Sequence, residues 1–121
     1  MGDYREQQIE ALVMVSEYMD KVIPAMEEVC AELAGDMKDD TLDYLRQIID
    51  AFNFVIETFN VTRDLVNEDE VLIVESELEK EIGTLSDAMM AKDYKRAGVI
   101  MQGGILDFLK VYNVRAKELI K

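Results

Sequence analysis

The sequence predicts an all-α protein, and three observations lead to this prediction. Residues that favour helices, such as Glu, Lys, Leu, Ala and Met, are plentiful, whereas the chain has one proline and six glycines. Apolar residues recur in alternating steps of three and four along four segments, as on one face of a helix. The segments are joined by short polar connections, so neighbouring helices should run antiparallel. We therefore expect one domain over residues 1–121, an up-down-up-down four-helix bundle of long antiparallel helices (about 4–34, 41–66, 68–92 and 94–120).

The first helix (4–34) is predicted from a heptad-like apolar seam. Pro24 lies mid-segment, where it removes one helical hydrogen bond and clashes with the carbonyl four residues earlier. Because the pattern keeps its phase across Pro24, we predict one helix that is kinked there and ended by Gly35. The seam consists of Ile9, Leu12, Ser16, Met19, Ile23, Met26, Cys30 and Leu33.

The second helix (41–66) has a seam of the same spacing. Asp40 is its expected N-cap, and Asp43 contributes to an acidic first turn. Arg63 is the exception on the seam, and we expect its guanidinium to reach water near the helix end, with a buried pairing to a carboxylate as the alternative. The seam consists of Leu42, Leu45, Ile49, Phe52, Ile56, Phe59, Arg63 and Val66.

The third helix (68–92) is predicted to begin after Asn67, which has the spacing of a capping box with Glu70. The run of apolar residues at 71–74 could by itself be a strand. Helical spacing follows it, however, so we expect these residues to belong to the helix. The predicted apolar stripe is Val71, Val74, Leu78, Ile82, Leu85 and Met89.

In the alternative architecture, three helices form the bundle and the fourth docks across them or onto a second copy.

The fourth helix (94–120), capped by Asp93, is unusual because it contains three glycines. Each interior glycine costs about 0.8–1 kcal/mol relative to alanine, so another contribution should offset this cost. Three explanations are open: close approach of a neighbouring helix, a local break at Gly103-Gly104, or a surface that a partner approaches. Methionine suits irregular binding surfaces, and three methionines, Met89, Met90 and Met101, lie nearby. The candidate partner-binding residues are Met90, Gly98, Met101, Gly103 and Gly104.

The seam of the fourth helix indicates that most of its length closes the bundle. Its apolar positions keep helical spacing on both sides of the Gly103-Gly104 pair. They are Tyr94, Ala97, Met101, Ile105, Phe108, Tyr112, Ala116 and Leu119.

No catalytic site is predicted. The chain has no histidine and one cysteine, Cys30, which excludes imidazole-dependent triads, phosphorelay transfer and zinc sites. Carboxylates alone could bind magnesium, as the E-E-x-x-E motif does in helical nucleotide pyrophosphohydrolases. Here the segment 27–32 (EEVCAE) spaces its third acid one residue too far. A magnesium-dependent hydrolase is therefore only a remote alternative, and we expect no enzyme activity, cofactor or small-molecule substrate.

The formal net charge of −13 restricts the partners of the protein. Such a chain is repelled by phosphate backbones and by anionic lipid surfaces, so we expect neither nucleic-acid nor membrane binding. The acidic surface is either simply solvated or a docking surface for a basic partner. Because the sequence shows neither a secretory signal pattern nor a long apolar run, we expect a cytoplasmic protein.

Three stretches of the chain (10–29, 42–59 and 85–109) resemble an uncharacterised family of small acidic all-helical proteins from Gram-positive bacteria. The similarity includes a proline in the first helix and an acidic-aromatic pair such as Asp93-Tyr94. The chain departs from the family pattern at Ala97-Gly98, Gly103-Gly104 and Asp107, where that family has Ala-Asp, Tyr-Glu and Pro. The resemblance implies no known activity. A looser likeness to bacterial export chaperones rests on size, charge and helical class.

Together these features predict a non-enzymatic interaction module that binds a protein partner through an apolar groove. The alternative is a self-associating structural protein that forms a homodimer through the glycine-containing fourth helix.

Overall fold

The structure is a computed structural model that describes residues 2–121, with side chains from Tyr4 onward. Over these residues it contains helices and no strand, so the all-α prediction is confirmed. The bounds of the first two helices agree with the prediction to within a few residues. The helices are α1 (Gly2–Ala34), α2 (Thr41–Val66), α3 (Glu75–Met90), α4 (Tyr94–Ile100) and α5 (Leu106–Leu119). Helix α1 is continuous through Pro24, and the kink expected at this residue stays a prediction.

Helix α1 packs against α2, α4 and α5. Two hydrogen bonds fix its direction relative to α2. The Gln8 amide donates to the Val61 carbonyl (3.1 Å), and the Thr41 hydroxyl donates to the Glu32 carboxylate (2.7 Å). Because an early residue of α1 contacts a late residue of α2 and the reverse, the two helices are antiparallel.

A short polar network joins α1 to α5. The Ser16 hydroxyl donates to Asn113 Oδ1 (2.8 Å), and Asn113 Nδ2 donates to Asp20 Oδ1 (2.9 Å). The Lys117 ammonium also donates to Asp20 (2.8 Å). The hydrogen bond from Lys117, followed by that from Asn113, holds the pKa of Asp20 below its ordinary value. Ser16, the single polar residue of the predicted first seam, is therefore buried with its hydroxyl satisfied.

Aromatic side chains form the centre of the contact between α2 and α5. The rings of Phe59 and Phe108 meet edge to face with centroids 5.3 Å apart, and those of Phe59 and Tyr112 do the same at 5.3 Å. The Tyr112 hydroxyl shares a 2.7 Å hydrogen bond with the Thr62 hydroxyl. Burial raises the pKa of Tyr112 to about 12, although the hydrogen bond with Thr62 acts in the opposite direction. Edge-to-face pairs of this kind add to the stability that burial alone provides.

The buried face of α2 differs from its predicted seam along one flank. Half of the seam, including Phe52 and Phe59, is buried as predicted. The other half is displaced by one residue, because the buried positions are Thr41, Ile48, Val55 and Thr62 rather than Leu42, Ile49, Ile56 and Arg63. Burial of the two threonines is tolerated because each hydroxyl has a hydrogen-bond partner. The Arg63 side chain is 38% exposed, as expected for a guanidinium that reaches water, and it pairs with the partly exposed Glu75 (2.6 Å). The pairing is therefore not the buried one of the alternative.

The start of the third helix was predicted wrongly. Helix α3 begins at Glu75, and residues 67–74 form a loop instead of its first turns. The side-chain oxygen of Asn67 (Oδ1) accepts hydrogen bonds from the backbone N–H groups of Leu72 (3.1 Å) and Ile73 (3.2 Å). Its side-chain nitrogen (Nδ2) donates to the Ile73 backbone carbonyl (3.0 Å). Asn67 thus satisfies the backbone of a loop, so it does not form the expected capping box with Glu70.

The two other predicted caps differ from one another. Asp93 is the N-cap of α4 as predicted, because its carboxylate accepts the Arg96 N–H (3.3 Å). Asp40 occupies the N-cap position of α2, but its side chain makes no capping hydrogen bond. The hydroxyl of Thr41 accepts the Lys38 N–H (2.8 Å) in this turn instead.

The fourth predicted helix is interrupted. A π-helical turn, Met101–Ile105, separates α4 from α5, and Gly103 within it has non-helical backbone dihedrals (φ −88°, ψ −111°). Of the three explanations for the glycines, the local break at Gly103-Gly104 is therefore observed. The seam remains buried on both sides of the break, since Met101 and Ile105 face the core.

Helix α3 is shorter than α1 and α2 and sits to one side. It packs mainly against α4 and the π-helical turn, whereas α2 lies against α1 and α5. This arrangement leaves a groove between α3 and α5.

Candidate functional site

An open groove of about 450 Å³ lies between the 67–74 loop, α3 and the first half of α5. We call it the α3–α5 groove. The loop contributes one wall, α3 contributes another, and α5 provides the floor. Its apolar lining residues are Leu72, Ile73, Val74, Leu78, Phe108 and Val111.

The floor of the groove is continuous with the rigid core. Phe108 lines the groove and packs edge to face against both Phe52 and Phe59, with ring centroids 6.2 and 5.3 Å apart. Val111 is 40% exposed, and Val114, three residues later on the same helix, is 62% exposed. Because residues three apart lie on one face of a helix, these valines extend the apolar strip along α5.

The loop wall is held in place by side chains at both of its ends. Asn67 binds the backbone of Leu72 and Ile73 from within the loop. Arg115 of α5 donates to the Val66 carbonyl (3.0 Å) and to the Asp69 carboxylate (3.2 Å). Leu72 and Val74 nevertheless remain exposed. The wall is thus an ordered apolar surface open to solvent.

Charged side chains on the border of the groove are mostly acidic. They comprise three carboxylates, from Glu77, Glu81 and Asp107, and one ammonium, from Lys80. Among the residues that the structure describes, none of these carboxylates forms an ion pair. The groove therefore combines an apolar floor with unpaired negative charge.

Glu81 lies directly against the π-helical turn because Gly104 has no side chain. A Cβ atom added to Gly104 would lie 2.6 Å from Glu81 Cδ and 2.8 Å from Glu81 Oε2. Real Cβ atoms do not approach other atoms this closely, so any side chain at this position would displace the carboxylate. Gly104 thus keeps the Glu81 carboxylate at one end of the groove.

The structure does not bring the five predicted site residues together. Gly104 lines the groove, whereas Met90 is 81% exposed at the far end of α3. Gly103 is exposed and its missing side chain faces open space. Gly98 and Met101 are covered by the protein itself, and a Cβ on Gly98 would lie 3.1 Å from Leu33 Cβ of α1. At Gly98, therefore, the glycine permits close approach of two helices.

Sequence reasoning missed most residues of the groove because they are apolar. Leu78 and Phe108 were predicted as core, and Val74 as part of a buried helical stripe. The run at 71–74 was the available signal, since an unbroken apolar run does not match the amphipathic pattern of a surface helix.

A second, more open depression of about 420 Å³ lies on the surface formed by α1 and α2. Its centre is the edge-to-face pair of Tyr18 and Phe54, with centroids 5.1 Å apart. Met14, Glu17 and Lys21 complete its lining. Its flanking charges are balanced.

The potential metal ligands of the described residues are dispersed, and the cysteine lies in the core. No group of three or more His, Cys, Asp or Glu side chains among them is placed to hold a metal ion. Cys30 is buried, and burial together with nearby Glu27 raises the pKa of its thiol to about 11. The thiol is therefore protonated at neutral pH, and the magnesium-hydrolase alternative stays untested.

Comparison with known proteins assigns a family. A family model described as a domain of unknown function (DUF8042) matches residues 10–113. No curated protein and no solved structure gives a match. Within the described chain, no helix combines the length and the apolar character needed to cross a membrane.

Proposed function

Because the chain belongs to this DUF8042 family, whose function is unassigned, we propose a function from the geometry of the molecule. We infer a non-enzymatic interaction module whose α3–α5 groove binds an amphipathic helix of a partner protein. One observation carries the proposal: the groove is apolar and open to solvent, yet its floor residue Phe108 is anchored in the aromatic core. A preformed apolar groove of this kind is the usual receptor for the apolar face of a helix.

The lengths of the helices support a helix as the occupant. Helix α2 has 26 residues and α3 has 16, about 39 and 24 Å at 1.5 Å per residue. We propose the up-down-up-down bundle for the whole chain, supported by the antiparallel contacts of α1 with α2. The approach of Leu33, late in α1, to Gly98 of α4, while Ser16, earlier in α1, bonds Asn113 of α5, supports it further. In such a bundle, the short α3 leaves part of one corner uncovered. A bound helix would fill that corner and cover Val111 and Val114.

Self-association through the fourth helix has less support. Gly98 and Met101 are covered by the protein's own helices and offer no free surface. Two copies would also each bring a net charge of −13, which opposes close association. The cytoplasmic location and the likeness to export chaperones stay predictions.

A synthetic amphipathic peptide tests the groove directly. We propose a capped peptide of about 18 residues, which gives about five helical turns, with Leu and Ile on one face and uncharged Gln and Ser on the other. Titration into isotope-labelled protein should shift NMR signals of Leu78, Phe108 and Val111. The signals of Tyr18 and Phe54, in the second depression, should not move.

Two matched valine variants decide whether binding occurs in the groove. Val111→Glu places a charge in the proposed apolar contact, so the dissociation constant should rise about tenfold or more. Val99→Glu makes the same change at an exposed valine of α4 outside the groove and should leave affinity unchanged within about twofold, a difference of about 0.4 kcal/mol. Equal affinities of the two variants, or shifts confined to other surfaces, would reject docking in the groove.

A further inference from the structure

We propose that the α3–α5 groove selects a partner helix that carries a cationic side chain, and that Glu81 is the carboxylate that pairs with this cation. This inference rests on the proposed function and specifies the chemistry of the partner. The occupant is a basic amphipathic helix, with an apolar face for the floor and a Lys or Arg directed toward the π-helical turn.

Some carboxylates of the described residues are paired with cations within the chain, and the three carboxylates of the groove are not among them. Asp20 pairs with Lys117, Asp69 with Arg115 and Glu75 with Arg63, so these carboxylates are partly neutralised within the chain. Within the described residues, the carboxylates of the groove have no such partner. Complementary charge across an interface favours encounter and excludes partners of the wrong sign. A basic segment fits this site, whereas a second copy of this acidic chain does not.

The position of Glu81 makes it the best acceptor among the three carboxylates. It is half-buried, whereas Glu77 and Asp107 are exposed. Glu81 also lies beside the apolar floor, since it lines the groove together with Leu78 and Phe108. Once a partner helix excludes water there, a charge-assisted hydrogen bond to Glu81 is stronger than one at an exposed position.

Gly104 acts as a positioning residue for this carboxylate. Its missing side chain leaves the space that Glu81 Cδ and Oε2 occupy against the π-helical turn. An alanine there would displace the flexible end of Glu81 from its position against the π-helical turn while leaving the apolar floor intact. The two adjacent glycines therefore have different roles. Gly104 makes room for the Glu81 carboxylate, whereas Gly103 has the non-helical backbone of the break.

Peptides that differ only in charge test the inference. The neutral amphipathic peptide of the previous section is compared with versions in which two Gln residues are replaced by Lys or by Glu. For the unmodified protein, we expect the Lys peptide to bind about tenfold more tightly than the neutral one, or about 1.4 kcal/mol, and the Glu peptide to bind more weakly. The preference of the Lys peptide should shrink with added salt because exposed charges are screened.

Carboxylate variants assign the preference to a residue. In Glu81→Gln, the advantage of the Lys peptide should fall to about twofold, while the affinity for the neutral peptide is unchanged. Glu79→Gln removes the same charge from an exposed position of α3 outside the groove and should preserve most of the advantage. Gly104→Ala should reproduce the loss seen in Glu81→Gln and retain binding of the neutral peptide, which a general structural defect would not do.

The outcomes separate the two proposals. Binding of the neutral and Lys peptides with equal affinity, or an equal loss in Glu79→Gln and Glu81→Gln, overturns the role of Glu81 while groove binding stands. Failure of every peptide to shift the groove signals rejects the proposed function and this inference with it. Sedimentation that shows dimers at micromolar concentration, abolished by Val111→Glu, would identify a second copy as the occupant instead.

Discussion

Two regions of the molecule are built differently. The scaffold, formed by α1, α2 and α5, has an aromatic centre around Phe59 and a hydrogen-bonded network that includes Ser16 and Asn113. The second region comprises the 67–74 loop, α3 and the π-helical turn, and we call it the docking region because of the function proposed for it. Its helix α3 packs mainly against α4 and the π-helical turn. Exposed apolar side chains, such as Leu72 and Val74, accompany unpaired carboxylates in this second region.

The two regions differ in how completely their side chains are satisfied within the chain. In the scaffold, the buried Ser16 and Asn113 side chains satisfy one another and Asp20, which fixes the alignment of α1 on α5. Among the described residues, no buried side-chain nitrogen or oxygen atom lacks a partner. The docking region, in contrast, leaves its apolar wall and its charges facing water, and the proposed partner helix would cover this exposed apolar surface.

The largest expected effect distinguishes a scaffold phenylalanine from a surface one. Phe59→Ala removes a fully buried ring that contacts Phe108 and Tyr112, so the free energy of unfolding should fall by about 3–5 kcal/mol. Phe54→Ala makes the same change at a ring that is 38% exposed and should cost about 1 kcal/mol or less. Denaturant titration of both variants measures the contrast. Similar losses would show that the aromatic cluster is no more important than the surface pair.

A pair of glycines tests how the two regions are joined. Gly98→Ala introduces a Cβ 3.1 Å from Leu33 Cβ, which forces α4 away from α1 and should cost about 1–3 kcal/mol. Gly83 lies inside α3, and a Cβ there meets nothing within 4 Å. Gly83→Ala should therefore stabilise the protein by about 0.5–1 kcal/mol. The sign of each change in denaturation midpoint is the measurement, and equal signs would contradict the packing assigned to Gly98.

The scaffold was more predictable from the sequence than the docking region. Long seams with heptad spacing gave the bounds of α1 and α2, because repeated apolar positions report burial wherever a helix lies against others. The predicted flank of α2 was displaced by one residue because apolarity alone does not identify the buried positions. Leu42 is more apolar than the buried Thr41, and Ile49 is as apolar as the buried Ile48. Only tertiary hydrogen bonds, such as that of Thr41 with Glu32, reveal that the threonine face is buried.

The docking region depends on interactions that no local pattern encodes. Asn67 with Glu70 has the spacing of a capping box, yet the Asn67 side chain binds Leu72 and Ile73 in a loop. The glycines at 103–104 indicated a break as one of three explanations, but the sequence could not say that Glu81 occupies the space beside Gly104. The groove thus forms where the loop, α3 and α5 pack against one another. From the sequence alone, its apolar residues are indistinguishable from core residues.

The smallest expected effect concerns the joint between α3 and α4. Lys92 adopts a left-handed conformation (φ 57°), and its N–H donates to the Met89 carbonyl (3.1 Å) while that of Asp93 donates to the Ala88 carbonyl (2.9 Å). These two bonds form a Schellman motif, in which glycine is usually found because a Cβ disfavours this conformation. Lys92→Gly should therefore raise the free energy of unfolding by roughly 0.5–1 kcal/mol.

The control for this joint is the same substitution at a helical position. Lys95 is exposed in the first turn of α4, where glycine has a lower helix propensity than lysine, so Lys95→Gly should lose up to about 1 kcal/mol. Hydrogen exchange should additionally show slower opening of α3 amides in Lys92→Gly, while α1 and α2 change only with global stability. A loss of stability in both variants would mean that the Lys92 side chain itself stabilises the joint, and the docking region would then be more tightly built than we infer.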